Sequence, residues 1–289
     1  MLHQTAAGKW EVTPSITYSS FTTKYNENNT NGLDKVESTG MNFGVKGEYG
    51  INDNWSVGAN LSMANIKDKY STVSGTALDD GKTTGMNDLL IFGTGKTDMG
   101  GGTLKYGATL NYALAKKKFD GSNASSGYTA TAGSGGTGLT PWVGYEQGMG
   151  TGCTLGGKLS YSFLLADRKF TVTDTTNTDS DWTENGGTQI GATVYYEHNM
   201  APWTLGVAVS WNTTNSSKQK NDTAGTSKDS ADAGHAGVNV ALYAPYEISD
   251  TITLLPQFTW GDDGTILVGE DGVKSYSGWG LGVGARFMF

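Results

Sequence analysis

Apolar and polar residues alternate one by one along most of this chain, and nothing else in it constrains the fold so strongly. Met41, Phe43, Val45, Gly47 and Tyr49 interleave with Asn42, Gly44, Lys46 and Glu48. Trp55, Val57, Ala59, Leu61 and Met63 interleave with Ser56, Gly58, Asn60 and Ser62. A period of two puts each set on one face of a β-strand, whereas a helix would scatter it around its circumference. The pattern returns at Leu104–Leu114, Leu155–Leu165, Ile190–Tyr196, Leu205–Trp211, Val238–Tyr246, Ile252–Trp260 and Trp279–Phe289. Less regular copies lie at Trp10–Tyr18, Met86–Phe92 and Leu139–Tyr145. The expected fold is all-β, with twelve strands.

The connections alternate as well. Short ones fall at Gly50–Asn54, Gly95–Gly102, Gln147–Gly152, His198–Pro202 and Glu247–Asp250. Long polar ones fall at Asn26–Val36, Lys67–Lys82, Lys117–Gly136, Asp167–Gly186, Asn212–Gly234 and Gly261–Lys274. Short and long connections then sit at opposite ends of the strands, with both termini on the short side. A transmembrane antiparallel β-barrel is built this way, with short periplasmic turns and long extracellular loops. A soluble barrel or sandwich has no reason to sort its loops by length, and soluble barrels commonly stop at about 8 strands.

The two faces differ in kind. One carries small residues, among them Gly44, Gly58, Gly107, Gly144, Gly156, Gly191, Gly206, Gly280, Gly282 and Gly284. The other carries aromatics near strand ends, such as Tyr49, Trp55, Tyr112, Tyr145, Tyr161, Tyr196, Trp203, Trp211, Trp260 and Phe289. Aromatics bounding an apolar band mark the two membrane interfaces, so the apolar face is expected to meet lipid. No apolar run is long enough for a transmembrane helix. The opening Met1-Leu2-His3-Gln4-Thr5 does not read as a signal peptide and is expected to begin a mature chain with an added Met. Residues 1–7 are expected to form a tail and residues 8–289 the barrel.

Composition removes other classes. Net charge is −8, against the basic face that nucleic acid requires, so no nucleic-acid partner is expected. One Cys excludes a disulfide framework and a multi-Cys metal site. Glycine reaches 43 of 289 residues without a triplet period, which excludes collagen.

The ending Gly282-Val283-Gly284-Ala285-Arg286-Phe287-Met288-Phe289 is similar to the outer-membrane assembly signal, an alternating last strand with a terminal Phe. The resemblance implies insertion by the outer-membrane assembly machinery of a Gram-negative bacterium. Lipid and lipopolysaccharide are then the surrounding partners. Three further segments resemble landmarks of a barrel family associated with meta-pathway phenol degradation, near the long-chain fatty-acid transporters. They are Tyr49–Gly58, Gly85-Met86-Asn87-Asp88-Leu89 and Leu139–Glu146. That resemblance implies carriage of small hydrophobic compounds across the outer membrane. The first strand starts near Gly8, so a mechanism based on a moving N-terminal plug is not expected.

Alternation assigns Glu11, Lys46, Glu48, Lys105, Glu146, Lys158, Glu197 and Arg286 to the lumen, four acids and four bases. They can form a cross-strand ion-pair network or a pore lining with little ion selectivity. Trp142, Leu164, Tyr195, Tyr243, Leu255 and Met288 are bulky residues on the same face. These either pack the interior or form a greasy slide. Pro14, Pro141 and Pro256 fall on the lipid face inside strands. Proline cannot donate to a ladder, so each demands a bulge, a kink or a lateral gap between strands.

The acid clusters Asp79-Asp80, Asp174 with Asp179 and Asp181, and Asp262-Asp263 with Glu270-Asp271 read as solvated loop charge, since none has EF-hand spacing. Only His3, His198 and His235 exist, and none sits in a Ser/His motif, so no catalytic site, cofactor or metal is expected. Cys153 is expected to be unpaired at a turn. The expected function is passive uptake of small hydrophobic or amphipathic solutes. A narrow non-selective porin and a sealed surface-interaction barrel stand as alternatives.

Overall fold

In a computed structural model the structure describes residues 3–25, 33–73, 80–120, 129–173, 178–215, 217–229, 235–261, 266–267 and 273–289. The wall begins with β1 (Trp10–Tyr25), β2 (Leu33–Gly50) and β3 (Trp55–Thr72). β4 comes in two pieces, Gly81–Met86 and Leu89–Met99. Then follow β5 (Gly102–Tyr112), β6 (Thr137–Gly148), β7 (Cys153–Ala166), β8 (Gln189–Met200) and β9 (Trp203–Thr214). β10 is also in two pieces, His235–Tyr243 and Tyr246–Ser249, before β11 (Ile252–Gly261) and β12 (Val273–Met288). Each strand pairs antiparallel with the next. β1 pairs with β12 through Ile16↔Val283 and its neighbours, which closes a barrel of twelve strands as the alternation predicts. Closure leaves no edge unpaired, the condition for a sheet to stand in hydrocarbon.

The short turns are chemically specified. At Met99–Gly102 both central residues have positive φ, Gly100 at 60° and Gly101 at 84°. A two-residue hairpin of this hand favours glycine, because a Cβ strains both positions. At the β2–β3 turn the Asn52 side chain accepts from the N–H groups of Asn54 and Trp55, both at 2.9 Å.

The outward face is a continuous apolar belt. Leu159, Val194, Trp260 and Leu281 are all more than half exposed. So large an exposed apolar surface is untenable in water and is satisfied by lipid tails. Rings bound it on both sides. Trp10 packs on Tyr49 at 4.8 Å, Trp55 on Tyr106 at 5.4 Å and Trp203 on Tyr246 at 4.5 Å, all next to the short turns. On the far side Tyr18 packs on Trp279 at 5.6 Å. Trp203 and Trp211 lie on one strand, eight residues apart. At ~3.3 Å per residue that is ~26 Å along the strand, or ~20 Å along the membrane normal at a tilt of ~40°, close to the apolar band of an outer-membrane barrel.

Above the belt the long connections carry a second set of strands that the sequence reading did not resolve. Thr129–Thr131 runs parallel to Gly81–Met86 and antiparallel to Lys117–Asp120. Lys117–Asp120 runs parallel to Arg168–Thr173, which pairs with Asp179–Gly186. Ser217–Asn221 and Thr226–Asp229 continue the order. One side of the barrel wall therefore extends beyond the membrane as a sheet.

Candidate solute pathway

Cross-strand register fixes what lies inside. Partners directly opposite share a face, so Glu11 and Glu48, Lys105 and Gly144, and Lys158 and Thr193 point the same way. That face is opposite to the apolar belt. Burial agrees: Glu48 is 1% exposed, Tyr195 2% and Lys105 8%. Several inward charges are paired with one another. Glu48 accepts from Lys46 at 2.6 Å and from the Ser56 hydroxyl at 2.7 Å. Lys105 forms an ion pair with Glu146, whose other oxygen accepts from the Tyr195 hydroxyl at 2.5 Å. Arg286 donates to the Thr253 hydroxyl at 3.4 Å. Lys158 lies over the Trp142 ring at 4.9 Å. Glu197 and Tyr243 both stand opposite Gly206.

Five of the inward glycines lie beside inward rings. A Cβ on Gly206 would sit 2.0 Å from the Tyr243 ring, and one on Gly156 2.2 Å from the Tyr195 ring. Gly107 lies under Trp142 in the same way, Gly58 under Phe92 and Gly278 under Phe21. In all five pairs ring and glycine are direct cross-strand partners. Each ring occupies the space that a side chain on its cross-strand neighbour would need. Alternation named Trp142, Tyr195 and Tyr243 but missed Phe21 and Phe92. The missing signal was register, which places a glycine across from each.

Residues 3–9 fold back on the periplasmic mouth. Gly8 donates to the Gly50 carbonyl at 2.7 Å and Gly50 to the Lys9 carbonyl at 3.0 Å. Thr5 is 2% exposed and its N–H donates to Glu48 at 3.2 Å. His3 contacts Glu11 at 2.8 Å.

Each in-strand proline sits at an interruption of one ladder. The β1–β12 pairing skips Thr13 and Pro14, while Pro14 stays opposite Val45 on β2. The β6–β7 pairing skips Thr140 and Pro141, while Pro141 stays opposite Ala108 on β5. Pro256 stays opposite Val283 on β12 and faces the Ala244-Pro245 break of β10. Ala244 donates to the Pro256 carbonyl at 3.1 Å, and the return bond is missing because proline has no N–H. Pro256 also lines a cavity of about 370 Å³, with Lys158, Tyr195, Tyr243, Pro245 and Leu255. A second cavity, of about 410 Å³, lies at the external end between Asn111, Thr140, Ser162, Leu164, Arg168 and Gln189.

Of the loop acids, Asp79, Asp174, Asp262, Asp263, Glu270 and Asp271 lie outside the described residues. Asp80 pairs with Lys67 at 2.7 Å, Asp179 accepts from Thr173 at 2.7 Å and Asp181 pairs with Lys116 at 2.5 Å. Among the described residues no group of three or more His, Cys, Asp and Glu side chains could hold a metal ion. The Cys153 thiol contacts His198 Nδ1 at 3.0 Å and accepts from the Tyr196 hydroxyl at 3.0 Å, at the periplasmic rim.

No protein-family model matches the sequence, and no curated protein matches it. Solved structures do resemble the fold. The COG4313 outer membrane channel from Pseudomonas putida F1 matches at TM-score 0.66 and 14% identity, over 99% of this chain and 97% of that one. The transport unit of the autotransporter AIDA-I from Escherichia coli matches at TM-score 0.58 and 11% identity, over 100% and 93%. A TodX variant described as a monoaromatic hydrocarbon channel matches at TM-score 0.50 and 10% identity, over 98% and 90%. The closed wall and its lipid-facing belt make this chain a twelve-stranded β-barrel of the bacterial outer membrane.

Proposed function

We propose that this barrel is an outer-membrane channel for small hydrophobic or amphipathic solutes, which leave it sideways into the bilayer at the Pro245–Pro256 break. The observation that carries the reading is the cavity at that break. It reaches from the inner residues Lys158 and Tyr195 to Pro256, which alternation puts on the lipid side. An apolar solute gains nothing from a continuous water path, and the bilayer is its favoured destination. The paired charges Lys46–Glu48 and Lys105–Glu146 narrow the lumen below, which disfavours an open porin. Lys46, Glu48, Lys105, Glu146, Lys158, Glu197, Arg286, Trp142, Tyr195 and Tyr243 line the path in this reading. Pro14 and Pro141 are further candidate gaps, and Pro256 is preferred because it lines a cavity. The landmark resemblance of the sequence to the phenol-degradation family supports the same solute class. So does the description of the TodX variant as a hydrocarbon channel.

The test is uptake of a neutral arene such as toluene by cells whose other porins are deleted. Expression of the wild type should raise uptake several-fold. Pro256→Val restores an N–H facing Ala244 and should remove most of the gain while leaving barrel assembly intact. Undiminished uptake by an assembled Pro256→Val barrel would refute the exit at this break.

A further inference from the structure

The extension of the wall beyond the membrane has an inner and an outer face, and register separates them. Ile66 on β3 points inward, being on the face of the buried Ala64 and Asp68. It is opposite Thr83, Thr83 is opposite Ala130, and Ala130 is opposite Phe119. Phe119 is opposite Val172, and by the same ladder Lys117 is opposite Phe170, which in turn is opposite Trp182. Lys117, Phe119, Phe170 and Trp182 therefore all lie on the inner face, above the external cavity. The rings form one group. Phe170 stacks on Trp182 with 6.1 Å between centroids and 6° between planes, and Phe119 meets Phe170 edge-on at 6.0 Å.

Two cations share this face. Lys117 lies over Phe119 at 5.1 Å, and among the described residues no carboxylate is within ion-pair distance of it. Arg168, which lines the external cavity, meets Glu184 at a loose 3.5 Å, and its Nε is buried with no hydrogen-bond partner among the described residues. Glu184 also accepts from the Ser217 hydroxyl at 2.6 Å. The nearby Asp88 is satisfied by Asn111 at 3.0 Å and by the Ser134 N–H at 2.9 Å. Burial pushes the Lys117 amine below its ordinary range and the Arg168 charge pushes it further, while Asp88 and Glu184 oppose this in part. Positive charge beside flat rings, at the lip of a cavity, is complementary to a small planar anion.

We propose that this vestibule holds a subsite for small aromatic carboxylates, with the carboxylate on Lys117 and Arg168 and the ring against Phe170 and Trp182. The proposal rests on the reading of the barrel as a solute channel, and names the amphipathic solute it captures first. An anion there gains two charge-assisted partners, and its ring gains a stacking surface of fixed orientation.

The experiment is a titration of the refolded full chain in detergent with 4-fluorobenzoate, followed by fluorine NMR. Cyclohexanecarboxylate and 4-fluorobenzyl alcohol serve as competitors that lack the aromatic ring or the charge. The expected result is saturable binding of 4-fluorobenzoate, with both competitors at least ~10-fold weaker. The double variant Lys117→Gln, Arg168→Gln should weaken binding by ~10-fold or more, and Trp182→Ala by ~3-fold. Lys117→Arg keeps the charge and should keep binding, which separates loss of the subsite from loss of the fold. Equal binding of either competitor, or undiminished binding by the double variant in a barrel that still shows heat-modifiable gel mobility, would overturn the proposal. Toluene uptake separates the two readings. If uptake fails while 4-fluorobenzoate still binds, the channel reading falls and the subsite stands; if binding fails while uptake holds, the subsite alone falls.

Discussion

Gly206 and Gly47 show how much of this barrel is decided one residue at a time. Both are strand glycines, but Gly206 faces inward under Tyr243, whereas a Cβ on Gly47 would meet nothing within 4 Å. Gly206→Val should destabilise the barrel by ~1–3 kcal/mol, because Tyr243 must leave the wall or strain against it. Gly47→Val should be close to neutral. Urea unfolding midpoints in lipid vesicles measure both, and equal midpoints would contradict the ring-on-glycine packing. The residue scale was partly legible in the sequence. Parity alone put Tyr195, Tyr243 and Glu146 on one face, since a strand has two faces and the other was apolar. It could not show that Tyr195 donates to Glu146, because that pairing depends on β6 and β8 flanking β7. Phe21 and Phe92 escaped because Phe21 lies beyond the Trp10–Tyr18 run, Phe92 follows the Asn87-Asp88 interruption, and only register sets a glycine across from each.

At the scale of elements the twelve wall strands were legible and the external sheet was not. Wall strands announce themselves because lipid demands an unbroken apolar stripe on each. The external segments are short, rich in Thr, Ser and Asp, and pair in parallel across distant parts of the chain, as Lys117–Asp120 does with Arg168–Thr173. No local pattern encodes such a pairing. Polar bonds hold this sheet, and Asp181 is central to them. It accepts from Lys116 at 2.5 Å and Thr171 at 2.8 Å, and these bonds hold its carboxyl below the usual aspartate range. A depressed folded-state value means a stabilising contribution present above the ordinary aspartate range and lost as pH falls through the folded value. Amides of Arg168–Thr173 should therefore exchange faster below pH ~4, after correction for intrinsic rates, while amides of β7 stay protected. Asp181→Asn should shrink the difference between neutral and acid pH, and Asp222, held low by Thr183 and Lys220, accounts for what is left. A pH-independent external sheet in the wild type would refute the role given to Asp181. Both two-piece strands, β4 and β10, are also element-scale features that the sequence hid. Met86–Phe92 and Val238–Tyr246 each read as one run, although Asn87-Asp88 and Ala244-Pro245 interrupt them.

For the whole molecule, the sorting of loops by length and the two-residue period sufficed to give a membrane barrel, its orientation and its strand number. What they could not give is the state of the lumen. That depends on ion pairs such as Lys105–Glu146, on Thr5 buried against Glu48, and on where the wall is interrupted. In the proposed function apolar solute leaves through the wall and not down a water-filled pore. Single-channel recording of the refolded protein in a planar bilayer tests it most directly. Lateral exit predicts no steady conductance steps from a demonstrably inserted barrel that still raises toluene uptake in cells. Steady steps proportional to salt concentration would mean an open water path and would contradict it.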